Sequence, residues 1–239
     1  MQGKLYVMKQ KSKKNEAAVF GATGLIGSKL IEFLKKDVNF KKINLVVRSA
    51  INLEDEKVKI HKIDLFKKSE ILNSLRSSQL VFLTIGTTMS RVKGDKEKYK
   101  RIDLGITKDV ADSCKELGIE KLILVSSSGA DLKSKSFYLN LKGKIEKYVT
   151  DINLKSVHIL RPSLLLGKRS EKRFGERIAQ MIMPKISFLI PSKYRPISAE
   201  DVAKAMVQLS VTEGKAVKTY HYREIVDLSN EFESENSII

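Results

Sequence analysis

Three evenly spaced glycines break the first apolar run of the chain: Gly21-Ala22-Thr23-Gly24-Leu25-Ile26-Gly27. Residues 16–21, Glu-Ala-Ala-Val-Phe-Gly, have the apolar character of a buried strand. Residues 25–36 then place Ile26, Leu30, Phe33 and Leu34 on one helical face. A strand that turns into a helix through this spacing leaves little choice of fold. Gly21 permits a tight turn, Gly24 lets the backbone approach a pyrophosphate, and Gly27 lets the helix pack close to the strand. The amides that open the helix face bound phosphates with the positive end of its dipole. The turn predicts dinucleotide binding, with Gly21, Thr23, Gly24, Leu25, Ile26 and Gly27 as cofactor-binding residues.

The rest of the chain continues as βαβ units around a parallel sheet, the pattern of an α/β fold. Strands are predicted at 43–48, 58–63, 80–85, 122–125, 157–160 and 217–226. Helices are predicted near 68–76, 104–117, 137–149 and after Ser198, which reads as an N-cap with Asp201 three residues on. Residues 15–228 read as one domain, with a small substrate lobe at about 163–199 that includes a short apolar helix near 174–183. Residues 1–14 and 229–239 read as a basic and an acidic tail.

The spacing of the strands sorts the remaining binding residues. The second strand ends in Val46-Val47-Arg48-Ser49, where a site that prefers NAD usually places an acid. Arg48 would pair with a 2′-phosphate through its planar fork of donors, so NADP(H) is preferred and NAD(H) is the alternative. Asp64 and Leu65 end the third strand at the adenine edge. Ile85, Gly86, Thr87 and Thr88 end the fourth beside the adenosine ribose.

Ser126, Ser127 and Ser128 end the fifth strand. Tyr138 and Lys142 follow four residues apart, on one helical face. An ammonium beside a phenol favours the phenolate, which suits proton transfer to or from a carbonyl or alcohol. Lys142 can also donate to the nicotinamide ribose, and a serine hydroxyl can hold a carbonyl oxygen.

Composition narrows the class. With 42% apolar residues the chain can bury a core, and its single cysteine, Cys114, excludes an internal disulfide scaffold. No apolar run reaches the roughly 18 residues of a membrane span. The net charge is +17; the first 14 residues hold five Lys and no acid, the last 11 hold three Glu and no base, and residues 15–228 still carry +15. Such a field gathers anions, but no helix-turn-helix, zinc or aromatic RNA-binding signature accompanies it, so no specific nucleic-acid partner is expected. The cluster Lys168, Arg169, Lys172, Arg173 and Arg177 would favour an anionic small-molecule substrate. His61, His158 and His221 are scattered and no metal site is expected. Met181 and Met183 read as lobe packing. No residue pattern sets an oligomeric state. The basic N-terminal segment lacks both an apolar core and Arg, which argues against a secretory signal and a mitochondrial presequence. A cytoplasmic location is the expectation.

Together the quoted turn, Leu-Thr-Ile-Gly86-Thr-Thr88, Val-Ser-Ser-Ser-Gly-Ala-Asp131, Phe137-Tyr-Leu-Asn-Leu-Lys142-Gly143 and Leu160-Arg-Pro-Ser163 followed by Leu-Leu-Leu-Gly167 carry a family resemblance. The chain resembles the atypical branch of the short-chain dehydrogenase/reductase superfamily, and within it the Tat-interactive-protein-like group of NADPH-binding proteins. The resemblance covers residues 17 to 228. It implies a Rossmann-like, doubly wound parallel sheet and a catalytic set of Ser128, Tyr138 and Lys142, with Ser127 as the alternative serine. It also places Ser126, Arg161, Pro162 and Ser163 against the cofactor. Where the superfamily often has a further Asn, on the helix after the fourth strand, this chain has Asp103. The implied function is an NADP(H)-dependent oxidoreductase for a small carbonyl or alcohol. The alternative is an NADPH-binding regulatory module with little turnover.

Overall fold

Seven parallel strands form one sheet whose order sets every position of the site: β3-β2-β1-β4-β5-β6-β9. The computed structural model describes residues 15–166 and 195–237. In chain order the strands are β1 (Asn15–Phe20), β2 (Phe40–Val47), β3 (Val58–Lys62), β4 (Leu80–Leu83), β5 (Lys121–Val125) and β6 (Ser156–Leu160). The short β7 (Leu165–Leu166) and β8 (Ile197–Ser198) pair with each other in parallel, and β9 (Ala216–Tyr220) closes the main sheet beside β6. The helices are α1 (Leu25–Lys36), α2 (Lys68–Leu75), α3 (Lys96–Lys100), α4 (Ile106–Glu116), α5 (Phe137–Asp151), α6 (Ala199–Val211) and α7 (Tyr222–Asn236). A π-helical turn, Arg101–Gly105, joins α3 to α4.

Alternation along each strand divides the core into two layers. Ala17 and Val19 face α1, α6 and α7, where Leu30, Leu34, Val202, Met206 and Ile225 are buried. Ala18 and Phe20 face α2, α4 and α5, where Ile71, Leu75, Val110, Cys114 and Val149 are buried. A sheet covered on both faces needs continuous apolar strands, which is the pattern of Val19-Phe20 and Leu122-Ile123-Leu124. Burial pushes the Cys114 thiol up to about 12, so it stays protonated and inert at neutral pH.

The predicted strands and helices agree with these elements to within a few residues, with three differences. The helix predicted at 104–117 starts within the π turn, and an unpredicted helix, α3, precedes it. Lys96–Lys100 buries only Tyr99, so it carries no apolar stripe; the Asp95 side chain, which accepts from Lys98 N at 2.9 Å, starts it. The strand predicted at 217–226 stops at Tyr220. Glu224 Oε2 then accepts from His221 N at 2.9 Å and α7 begins. Residues 229–236, read as part of an acidic tail, belong to α7, because Ile225 and Ser229 are buried and Leu228 and Phe232 pack against the core. Ser198 caps α6 as expected, its Oγ accepting from Asp201 N at 2.9 Å. The apolar helix at 174–183, with Met181 and Met183, lies outside the described residues, as do Gly167 and the basic cluster Lys168, Arg169, Lys172, Arg173 and Arg177. None of the described helices is long and apolar enough to cross a membrane.

Candidate active site

All strands of the main sheet run parallel, so their carboxyl ends share one edge, and each predicted site residue lies there. The sheet reverses direction of growth between β1 and β4, the place where such folds open a ligand crevice. The glycine turn stands at that point. Gly21 adopts φ +84°, and a Cβ there would fall 2.6 Å from Thr84 Oγ1. Thr84 comes so close because its N and Oγ1 both donate to Phe20 O, at 2.9 and 2.8 Å. A Cβ on Gly27 would collide with the Gly21 carbonyl, so only glycine lets α1 rise this near the turn. Gly24 caps α1 without a side-chain hydrogen bond, and the first turn holds no acid. These helix-opening amides are therefore open to an anion.

Around this turn lie the ends of the neighbouring strands. Arg48 and Ser49 are exposed immediately after β2. Asp64 follows β3, its Oδ1 accepting from Phe66 N at 3.0 Å and its N donating to Glu70 Oε2 at 2.8 Å. Arg101 stacks over the Phe66 ring, 4.1 Å from its centroid, beside Asp64 and Leu65. Ile85, Gly86, Thr87 and Thr88 leave β4. The Thr87 peptide is held from both sides: its N donates to Asp103 Oδ1 at 2.8 Å and its O accepts from Tyr99 Oη at 2.9 Å.

The serines differ from one another in ways their sequence cannot show. Ser126 N donates to Leu160 O at 2.7 Å, but its buried hydroxyl has no partner among the described residues. Ser127 Oγ donates to the neighbouring Ser128 carbonyl at 3.3 Å. Ser128 N donates to Pro162 O at 2.9 Å, which ties the end of β5 to the end of β6. Tyr138 is exposed on the first turn of α5, whereas Lys142 is buried, with its ammonium 6.0 Å from the Tyr138 ring centroid. Lys142 Nζ also lies 3.3 Å from Asp103 Oδ2. Burial raises the Asp103 pKa above the ordinary carboxylate value, against the pull of Lys142 and the Thr87 N–H.

Arg161 is placed beside the predicted cofactor edge, but its fork is engaged. Nε donates to Glu146 Oε1 at 2.8 Å and Nη2 donates to Glu146 Oε2. Glu146 lies one turn beyond Lys142 on the same face of α5, but its pairing with Arg161 depends on where α5 meets the end of β6. Ser163 Oγ donates to Arg195 O, and Pro162 acts through its carbonyl. The site therefore adds Tyr99 and Glu146 to the residues expected, and gives Asp103 two specific contacts. No cluster of three or more His, Cys, Asp or Glu side chains suited to a metal occurs among the described residues.

A nicotinamide dinucleotide fits this edge. The glycine cradle, the uncapped start of α1, the Ser126 hydroxyl, unpartnered among the described residues, and the buried Lys142 offer donors of the kind that phosphate and ribose groups accept from.

Comparison with known proteins agrees. A family described as NAD(P)H-binding matches residues 21–212. The chain is 34% identical over 200 residues to "Protein FMP52, mitochondrial" of Debaryomyces hansenii, covering 81% of this chain and 87% of that protein. It is 30% identical over 227 residues to the Saccharomyces cerevisiae protein of the same name, covering 90% and 96%. Among solved structures, a UDP-N-acetylglucosamine 4-epimerase from Bacillus cereus has the same fold, with a TM-score of 0.66 at 18% identity over 93% of this chain and 85% of that one. A glucuronic acid dehydrogenase from Chromohalobacter salexigens gives 0.63 at 14% identity, over 87% and 76%. The names of the curated relatives overturn the cytoplasmic expectation. That expectation leaned on the absence of Arg from residues 1–14, yet five Lys without an acid give this segment the same positive charge. The chain belongs to the NAD(P)H-binding family.

Proposed function

We propose that the protein is an NADP(H)-dependent oxidoreductase acting on a small carbonyl or alcohol compound, and that it works in mitochondria as its named relatives do. The observation that carries the reading is the Tyr138–Lys142 pair: an exposed phenol one helical turn from a buried ammonium, at the carboxyl edge of a dinucleotide-binding sheet. When bound, the nicotinamide supplies or accepts the hydride. Tyr138 moves the proton at the substrate oxygen, Lys142 binds ribose, and Ser128 (Ser127 being the alternative) donates to the same oxygen. Arg48 supports NADP(H) over NAD(H), since an exposed guanidinium after β2 suits a 2′-phosphate.

NADPH oxidation against a panel of carbonyl compounds, with Tyr138→Phe as control, tests this. We expect Tyr138→Phe to lower kcat by about 10²-fold or more, the usual weight of a general acid. Turnover that is absent, or equal in the two proteins, overturns the enzymatic reading. One observation favours a binding module instead: the Asp103 carboxylate beside Lys142 offsets the positive charge that Tyr138 would use. On that reading NADPH binds and no carbonyl is reduced.

A further inference from the structure

The face of the sheet that α2 covers carries a polar patch apart from the cofactor crevice. The short α2 buries Ile71, Ser74 and Leu75. Beside it, β2 turns Lys42 and Asn44 to the same side as Val46, and β3 turns Lys59 and His61 there. In the strand register Asn44 stands opposite Lys59, and His61 opposite Val46. Asn44 precedes Arg48 by about 13 Å of strand.

Asn44 interrupts the apolar run from Ile43 to Val47 and is 1% exposed. A buried carboxamide persists when its groups are paired, and here the pairing builds a frame. Nδ2 donates to Ser77 Oγ and Ser78 Oγ, both at 3.3 Å, in the turn after α2. Oδ1 therefore accepts, and His61 Nε2, 3.0 Å away, carries the ring proton. The other ring nitrogen, Nδ1, has no partner among the described residues.

The charges around this frame do not balance. Glu16, near the start of β1, pairs with Lys41 at 3.1 Å and feels Lys42 at longer range. Lys42 and Lys59 have no ion-pair partner among the described residues. Burial, with Lys59 and Lys42 nearby, holds the His61 pKa below its ordinary value. Two ammoniums, an imidazole and the exposed Ser77 hydroxyl thus gather on one patch, and a group with several anionic oxygens would answer all of them.

We propose that this patch is a second anion site, separate from the dinucleotide crevice, which takes a phosphomonoester group through Lys42, Lys59, Ser77 and His61. A dianion there favours the charged form of His61, whose ring Asn44 holds in place. The test follows the histidine ring resonances of the full chain by NMR against pH, with NADPH saturating so that the crevice is filled. His61→Asn assigns the His61 signal. Inorganic phosphate should raise the pH at which His61 titrates by about 0.5 or more, saturably, and leave His158 and His221 unmoved. Potassium chloride at equal ionic strength is the control, because screening of Lys42 and Lys59 alone lifts His61 by less and without saturation. In Lys42→Gln/Lys59→Gln, with melting measured alongside, phosphate affinity should fall about tenfold or more. Should that variant melt early, each single substitution carries the comparison, with a smaller loss. Glycerol phosphate and vesicles of phosphatidylcholine with phosphatidic acid present the same group free and at a surface; the one whose binding the double variant loses names the source. Equal shifts with chloride and phosphate, or equal phosphate affinity in the variants, overturn the proposal. Failure of NADPH to bind would defeat the cofactor reading and leave this one to be decided by His61, whose response is local.

Discussion

Arg48 and Lys142 carry equal charge and have opposite environments, and the difference sets what each can do. Arg48 is exposed at the end of β2, free to meet a ligand phosphate at little desolvation cost. Lys142 is buried and already balanced by Asp103, so it acts over a fixed short distance. If Arg48 reads a 2′-phosphate, Arg48→Asp should reverse cofactor choice. NADPH should bind about tenfold or more weakly, the loss of one charge-assisted contact, while NADH holds or gains affinity. Titration of both cofactors against both proteins checks this; equal affinity of the unmutated protein for NADH and NADPH rules out a role for Arg48 in the choice. Arg161 shows the limit of reading residues singly. The resemblance placed it against the cofactor, but Glu146 engages both arms of its fork. The sequence held the Glu, though nothing in it showed that α5 passes the end of β6.

At the scale of elements, α5 is the part whose position the chemistry needs most. Its N-cap is Ser136, and its first two turns hold Tyr138 and Lys142. Gly143 sets how near it comes to the loop after β5. A Cβ there would fall 2.6 Å from the Asp131 carbonyl carbon and the Leu132 nitrogen. That loop is bonded to the helix, Asp131 N donating to Leu139 O at 3.1 Å and Asn140 Nδ2 donating to Leu132 O. Gly143→Ala should thus cost about 1–3 kcal/mol by overpacking and lower the melting temperature by several degrees. It should also weaken NADPH binding, because helix and loop must part next to Lys142. Unchanged melting would mean that the loop yields freely. The elements legible beforehand were those with a strong period, such as α1 and β5. Those missed, α3 and the later turns of α7, are polar segments that dock through one or two side chains, and a pattern search has little to find in them.

Across the whole molecule, the far side of the sheet from α5 contains a polar chain that the site does not use. Ser156 Oγ and His158 Nε2 lie 2.8 Å apart, and His158 Nδ1 and Tyr220 Oη 2.9 Å, all buried between β6 and β9. Burial lowers the His158 pKa to about 4, with Lys121 and Lys218 adding to the effect. The unfolded chain then binds a proton near pH 6.5 that the folded chain refuses. Stability from this group is complete above about pH 6.5 and falls as pH drops towards 4, by a few kcal/mol at most. Asp103, with its raised pKa, acts in the opposite sense, so the comparison must be by difference. Urea midpoints for the unmutated protein and His158→Gln, between pH 7 and 4.5, should show a smaller acid loss in the variant; parallel losses would place the acid sensitivity elsewhere. Local pattern alone determined the dinucleotide turn, the alternation of strands and helices, and the Tyr138–Lys142 spacing, because each rests on contacts between residues near in the chain. Only the tertiary structure decided which charges meet. Asp103 and Lys142 are 39 positions apart, and Glu146 faces Arg161 across 15. Both pairs are made by the order in which a parallel sheet stacks its crossovers. The large positive charge of the chain belongs to neither account. Its proposed share in the site is Arg48 and Lys142, with the cluster Lys168, Arg169, Lys172, Arg173 and Arg177 lying outside the described residues.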